Sequence, residues 1–136
     1  MTVPGAAPTF PTGRADVELR LPADGAFVSV LRTTAAGLAA RLDFTIEDIE
    51  DLRMAVGEAT ALVLPEADPE SDLHCAFHLG DRALTVEVSV TTSTAPEPNY
   101  ESFAWQVLTT IATSAEEVTT ADSFTVRLTI VSGTDL

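Results

Sequence analysis

Three stretches of this chain alternate between apolar and polar residues, and they limit its fold more than any other feature. They are "LHCAFHL" at 73–79, "ALTVEVSV" at 83–90 and "SFTVRLTIV" at 123–131. A period of two places the apolar side chains on one face of a β-strand. The first two stretches are joined by a short connection that contains Gly80, which is typical of a hairpin. A sheet of such strands has an apolar face that a second layer must cover.

Helical spacing appears in three other stretches. Residues 25–41 follow a candidate N-cap at Asp24, and residues 101–115 carry a third apolar stripe near the C-terminus. Between them, Thr45 and Asp48 resemble a capping box with Asp in place of Glu, which predicts a helix over 46–64. The apolar stripe of this central helix consists of Ile49, Leu52, Val56, Ala59 and Val63.

The order of these elements predicts the fold class. Adding "VELRL" at 17–21 and a short strand near "EEVTT", the order is strand, helix, helix, two strands, helix, two strands. Strands grouped with helices, rather than strictly alternating with them, favour an α+β two-layer sandwich. We predict a mixed four- or five-stranded sheet with three helices on one face. The predicted domain covers 17–132, between a flexible tail at 1–16, rich in Pro, Gly and Ala, and a short tail at 133–136.

Composition excludes several classes of function. The chain has 136 residues, no lysine and a net charge of -14. Such an acidic surface repels phosphate backbones and anionic lipid head groups, so we expect no direct binding of nucleic acid or of a membrane surface. No apolar run of about 18 residues is present. The N-terminus also lacks the apolar core of a signal peptide, so the expected location is cytoplasmic.

The cysteine and histidine pattern does not predict a metal centre. A single cysteine, Cys75, forbids an intrachain disulfide and fits a reducing compartment. On a strand, His74 and His78 lie roughly 13 Å apart. Two imidazoles on one zinc ion need nitrogens within about 4 Å of each other, so the pair is excluded as a shared metal site. Alternation places Cys75 in the core and both histidines on the surface. The sequence also lacks a nucleophile elbow and a lysine-containing phosphate loop.

Glu58 is a lone acid on the central helix. It lies far from the centre of the apolar stripe, on a second, partly apolar side that it shares with Met54 and Leu62. Taken alone, this pattern is typical of a surface glutamate beside aliphatic side chains that a loop covers. A catalytic or binding role is the alternative interpretation.

The chain as a whole resembles a known family. The stretches "FVSVLRTTAAGLAARLD", "IEDLRMAVGEATALVL" and "SFAWQVLTTIA" are similar to bacterial anti-sigma factors of the RsbW type, which belong to the GHKL (Bergerat-fold) ATPase superfamily. The resemblance covers about residues 16–132. It implies a protein that sequesters a sigma factor and is controlled by an anti-anti-sigma partner. Many members also phosphorylate that partner on serine with ATP, and a homodimer formed through the sheet is common among them.

The resemblance is poor in the nucleotide motifs. The general-base glutamate of the family falls on Glu58, but its magnesium-binding asparagine falls on Leu62, which has no oxygen ligand. The D-x-G-x-G motif falls on "TTSTAPEP", and the glycine-rich lid falls on "YESFAWQ". We therefore expect no cofactor, a vestigial Glu58, and a nucleotide space narrowed by Met54 and Leu62 with Phe103 or Trp105. An active kinase that uses ATP and magnesium is the alternative.

Arg32 is the candidate partner-binding residue. An arginine in the first helix of the family contacts partner proteins, and it falls on this position. On the residue alone, a solvated helix arginine is the simpler interpretation. A cation on an otherwise acidic surface also suits a specific ion-pair site. A third interpretation is a domain that shares the fold and binds neither class of partner.

Overall fold

The structure of the protein is a computed structural model, which describes residues 10–94, 96–97 and 99–133. Over these residues the chain forms five strands and three α-helices, with 3-10 turns at Gly25–Phe27 and Leu64–Glu66. The strands are β1 (Val17–Pro22), β2 (Asp72–Gly80), β3 (Ala83–Thr91), β4 (Ser114–Thr119) and β5 (Ser123–Val131). The helices are α1 (Val28–Arg41), α2 (Ile46–Val63) and α3 (Phe103–Ile111). The predicted α+β sandwich is confirmed.

The strands form one sheet in the order β1-β2-β3-β5-β4. Every neighbouring pair is antiparallel, so the prediction of a mixed sheet was wrong. Connectivity supplies the reason. Two helices, α1 and α2, separate β1 from β2. Because they form a hairpin, β2 starts at the end of the sheet where β1 stopped, and the two strands are antiparallel. The single helix α3 does make β3 and β4 parallel, but β5 lies between them.

The helices cover the apolar face that the alternating strands create. Helix α2 contacts β3 and β5, α1 contacts β3, and α3 contacts β4. The sheet contributes fully or almost fully buried side chains at alternate positions of its three central strands: Leu73, Cys75, Phe77, Leu84, Val86, Val88, Val90, Phe124, Val126, Leu128 and Ile130. Burial raises the pKa of the Cys75 thiol to about 12, because the charged thiolate would lose its hydration there. Cys75 is thus the core residue that was predicted.

The cap at the start of α2 includes Ser132, a residue that follows β5. Thr45 Oγ1 accepts a hydrogen bond from the Asp48 amide at 3.1 Å, as in a capping box. The reciprocal bond runs through Ser132, because the Thr45 amide donates to Ser132 Oγ at 3.1 Å and Ser132 Oγ donates to Asp48 Oδ2 at 2.7 Å. The bond from Ser132 favours the ionised carboxylate and holds the pKa of Asp48 below its ordinary value.

Helix α3 is shorter than the predicted helix over 101–115. It begins after Ser102, whose hydroxyl accepts from the Trp105 amide at 3.1 Å, and it ends at Ile111. Thr113 already donates its amide to the carbonyl of Thr129 in β5 at 2.8 Å. Ser114 and Ala115, the last residues of the predicted helix, therefore belong to β4, because they pair with β5.

The other face of the sheet is polar and carries a row of charges across three strands. Arg127 Nε lies 2.9 Å from Glu87 Oε2, and its Nη1 lies 2.7 Å from Glu116 Oε2. The guanidinium of Arg127 also lies 5.9 Å from the ring centroid of Phe10. Cross-strand pairs of this kind stabilise the observed register of β3, β5 and β4.

Residues 10–16, part of the predicted tail, contact this face. The Leu79 amide donates to Asp16 Oδ2 at 2.8 Å, and Phe10, Pro11, Thr12 and Gly13 share a pocket with His78. His78 is consequently only 8% exposed, which corrects its prediction as a surface residue. Residues 1–9 and 134–136 of the predicted tails lie outside the described residues, and the domain limits stay a prediction.

None of the helices seen in the described residues is long and apolar enough to cross a membrane.

Candidate functional site

Both candidate site residues lie on or against α2, on different sides of it. Counted at about 100° per residue, Gly57 lies on one side of the buried stripe of α2 and Leu62 on the other. Glu58 points nearly opposite the stripe. The side chain of Arg32 on α1 lies over Gly57, so α1 lies on that side and α3, which also contacts α2, lies on the Leu62 side. We call these sides the α1 flank, with Gly57, and the α3 flank, with Leu62.

On the α1 flank, the seam between helices is closely packed. Leu31, Ala35 and Ala39 of α1 have no exposed surface. Arg32, the residue after Leu31, is exposed. A Cβ atom placed on Gly57 would lie 2.7 Å from Nη2 and 3.1 Å from Nε of Arg32. The guanidinium group therefore lies directly against the backbone of α2.

Arg32 takes no part in an ion pair with any described residue. The ion pairs there join Arg20 to Asp72 and Arg127 to Glu87 and Glu116, and Nε2 of His78 lies 3.9 Å from Oε2 of Glu87. An arginine presents five donors in a rigid fork. Those of Arg32 are at the surface of a chain whose net charge is -14. This arrangement can bind an acceptor such as a carboxylate supplied from outside the domain.

On the α3 flank, Glu58 is partly buried and Leu62 packs against the edge of the hydrophobic core. A general base needs a substrate within hydrogen-bond reach, and a magnesium ion needs oxygen ligands. One turn after Glu58, Leu62 supplies hydrocarbon instead. Among the residues that the structure describes, no three His, Cys, Asp or Glu side chains converge to hold a metal ion.

The loop after β3 is hydrogen-bonded to Asp68, which follows the 3-10 turn at the end of α2. Asp68 Oδ1 accepts from the amide of Ser93 at 2.9 Å and from its hydroxyl at 2.8 Å. This is the loop in which the family places its adenine-binding motif. Two of its residues, Ala95 and Pro98, lie outside the described ones. In the described part of the loop, the hydroxyls of Thr92 and Ser93 are bonded within the protein.

The N-terminus of α3 follows this loop in the chain. Its first turn is capped by the Ser102 hydroxyl, and Gln106 Nε2 donates to the carbonyl of Glu101 at 3.1 Å. Tyr100 and Trp105 make an edge-to-face contact with centroids 5.2 Å apart. Free amides at a helix N-terminus form a ready anion site. Here the Trp105 amide already donates to the Ser102 hydroxyl, and the acidic Glu101 immediately precedes Ser102.

The expected narrowing of the nucleotide space by Met54 and Leu62, with Phe103 or Trp105, is contradicted for Met54 and Phe103 and stays a prediction for the other two. Trp105 and Leu62 pack against the edge of the core. Met54 is 52% exposed and Phe103 is 79% exposed, so neither fills such a space. Met54 points away from the sheet on α2, and Phe103 lies in the first turn of α3, beyond the reach of the core.

Two residues of this region escaped the sequence analysis. Gly57 had no assigned role, although a glycine in the interior of an amphipathic helix disfavours the helix and was a signal. Ser132 had none either, and no sequence signal links it to the cap of α2, which lies more than 80 positions earlier along the chain. Both matter through contacts between elements that are distant in sequence.

No protein-family model matches this chain. It is similar to the serine-protein kinase RsbW of Halalkalibacterium halodurans, with 38% identity over 74 residues, which is 54% of this chain and 46% of the relative. The proteins of the same name from Bacillus thuringiensis and Bacillus anthracis are 32% identical over 75 residues, 54% of this chain and 47% of each relative.

The chain thus spans about half the length of the curated relatives it matches. Sequence similarity to several such kinases and a two-layer sandwich of five strands and three helices agree with each other. These similarities support the family resemblance predicted from the sequence: over about half of its length, the chain is similar to serine-protein kinases of the RsbW type.

Proposed function

We propose that this protein is an anti-sigma factor or an anti-sigma-like regulator that acts in the cytoplasm by binding its partners stoichiometrically. It sequesters a sigma factor and is released through competition by an anti-anti-sigma protein. The observation that carries the proposal is the guanidinium of Arg32, exposed and without an ion-pair partner among the described residues. Similarity to the RsbW kinases supports the choice of partner class.

The acidic charge of the chain supports a protein partner. A net charge of -14 repels nucleic acid and attracts basic surfaces over distances of a Debye length. Sigma factors bind DNA, and a DNA-binding surface is basic. Long-range attraction would raise the rate of encounter, and a local ion pair at Arg32 would fix the orientation of the complex.

We further propose that binding does not depend on ATP chemistry. The family resemblance implies a magnesium ligand at the position of Leu62, which has no oxygen to offer, and the N-terminus of α3 is capped by its own serine. The alternative function is an active serine kinase of the same family, which the printed name of the relatives favours. Glu58 would then be the general base. The two functions differ in nucleotide binding, and both use the surface around Arg32.

Reversal of the charge at Arg32 tests the proposal. The sigma factors and anti-anti-sigma proteins of the source organism are purified one at a time and titrated by calorimetry with wild-type protein and with Arg32→Glu. Losing a charge-assisted hydrogen bond costs about 1.5–3 kcal/mol. We therefore expect the affinity for one of these partners to fall at least tenfold, since repulsion adds to the loss.

Arg41→Glu is the matched control, because Arg41 is also exposed, ends the same helix and produces the same change in net charge. It should alter affinity far less than Arg32→Glu. Equal losses for both variants would mean that overall charge, and not a site at Arg32, governs binding. Absence of binding by the wild-type protein to every sigma factor and anti-anti-sigma protein would contradict the proposed function itself.

A further inference from the structure

Nothing in the local backbone of α2 requires a glycine at position 57. It lies in the interior of α2, and its backbone does not require the positive φ that glycine alone tolerates well. Glycine is among the least favourable residues in a helix interior, and alanine is the most favourable. The residues on both sides of it, Val56 and Glu58, continue the helix without distortion. The reason for glycine must lie in what surrounds it.

The surrounding group is the side chain of Arg32. A Cβ atom on Gly57 would lie 2.7 Å from Nη2, 3.1 Å from Nε and 3.3 Å from Cζ of Arg32. Contacts this short are not tolerated, so any side chain at position 57 would displace the guanidinium. The displacement itself is easy, because the contacting atoms are the far end of a flexible side chain. A substitution here would thus move Arg32 without disturbing the fold.

Gly37 shows that this contact is specific to one glycine. It lies in α1, is exposed, and a Cβ atom placed on it meets nothing within 4 Å. Both glycines are therefore in helices with ordinary backbone geometry. They differ in whether a charged side chain occupies the space above them.

We propose that Gly57 is a positioning residue for partner recognition: its missing side chain lets the Arg32 guanidinium rest against α2, aligned to receive a carboxylate of the partner. The proposal rests on the proposed function. Arginine carries many rotamers, and ordering such a side chain on binding reduces affinity. A guanidinium already held against a helix loses less freedom and offers its fork in one orientation, which suits a bidentate carboxylate.

The test compares Gly57→Ala with Gly37→Ala. Both substitutions favour a helix, so the midpoint of thermal unfolding should stay the same or rise in each. Affinity for the sigma factor or anti-anti-sigma protein that binds the wild type should fall about fivefold or more in Gly57→Ala. In Gly37→Ala it should be unchanged. An unchanged affinity in Gly57→Ala overturns the proposal.

A double-mutant cycle shows whether the effect passes through Arg32. In an Arg32→Ala background, Gly57→Ala should cause no further loss of affinity, because no guanidinium remains to be displaced. A loss that persists in this background overturns the proposal, since Gly57 would then contact the partner directly.

A measurement without a partner separates failure of this inference from failure of the proposed function. Phenylglyoxal modifies arginine side chains, and mass spectrometry follows the rate at Arg32. We expect faster modification of Arg32 in Gly57→Ala than in wild type and in Gly37→Ala, with Arg41 as the internal reference. Equal rates overturn the positioning role. Faster modification of Arg32 in Gly57→Ala, with no sigma factor or anti-anti-sigma protein binding to the wild type, would support the positioning of Arg32 by Gly57. That result would contradict the proposed function alone.

Discussion

The two flanks of α2 differ in how fully their neighbouring helices are buried. On the α1 flank, α1 contributes three side chains without any exposed surface: Leu31, Ala35 and Ala39. On the α3 flank, α3 contributes Leu108 alone to this class. Its Trp105 and Ile111 are only partly buried against the core, and Phe103 in its first turn is largely exposed. The more deeply buried seam carries the proposed partner residue, and the other borders the proposed remnant of a nucleotide site.

This difference bears on the proposed function. A closely packed seam fixes the position of a binding side chain such as Arg32 before the partner arrives. A nucleotide site requires donors, a metal ligand and a lid that hold still around a triphosphate. Under our proposal, Leu62 supplies no such ligand. Three predictions test the comparison.

The largest expected effect is on the anchoring of α1. Leu31→Ala should lower the free energy of unfolding by about 3 kcal/mol, because it removes buried methyl groups and leaves a cavity in the seam. Phe103→Ala, a larger truncation on α3, should change it by no more than about 0.5 kcal/mol, as for exposed positions. Urea unfolding of both variants makes the measurement. A greater loss for Phe103→Ala would reverse the ranking of the two flanks.

A smaller effect is expected at Glu117 in β4, the strand that α3 contacts. Glu117 pairs with Val126 in register and so faces the helices, and its Oε1 is buried without a hydrogen-bond partner among the described residues. Burial raises the pKa of its carboxyl group. The native state therefore holds the proton more tightly than the unfolded state does. The stability gained from the protonated form is present below the ordinary value of 4.5 and is lost as pH rises through the raised native pKa.

Glu117→Gln should consequently stabilise the protein at pH 7, by about 0.5 kcal/mol because the group is only partly buried. The gain should vanish near pH 4, where the native carboxyl group is protonated. Glu116→Gln is the control from the same strand: it breaks the ion pair with Arg127 and should destabilise slightly at pH 7. A stabilisation by Glu117→Gln that does not depend on pH would exclude burial of charge as its cause.

The smallest expected effect is that of ATP. A ligand that binds only the native state at 100 times its dissociation constant stabilises it by about 2.7 kcal/mol. With millimolar ATP and magnesium, we expect no measurable shift in the midpoint of thermal unfolding and no phosphate transfer to an anti-anti-sigma protein. A shift of that size, with transfer abolished by Glu58→Ala, would make the α3 flank a working site and favour the kinase.

Patterns within single elements were predictable from the sequence, and contacts between distant elements were not. The alternation in 123–131 predicted β5 at its observed limits, and the stripe and cap of α2 predicted that helix to within one residue. Sheet polarity was missed because it depends on how helices route the chain between strands. His78 was misplaced because its cover comes from residues 10–13, whose composition gave no sign of packing.

The candidate site followed the same division. Glu58, Leu62 and Arg32 could be named from their positions in helices that resemble those of a family. The contact of Arg32 with Gly57 could not, since two helices must pack before the guanidinium meets that backbone. A helix-interior glycine shows that something is unusual, and the structure identifies the neighbour.

The hydroxyl of Ser132 makes the full cap of α2 depend on the sheet. Residue 132 reaches the Thr45 amide and the Asp48 carboxylate only when β5, which it follows, has paired with β3. Part of the cap of the central helix is therefore supplied by a residue more than 80 positions further along the chain. A chain cut after residue 131 would keep the bond between Thr45 and the Asp48 amide and lose the bond from Ser132 to the Asp48 carboxylate.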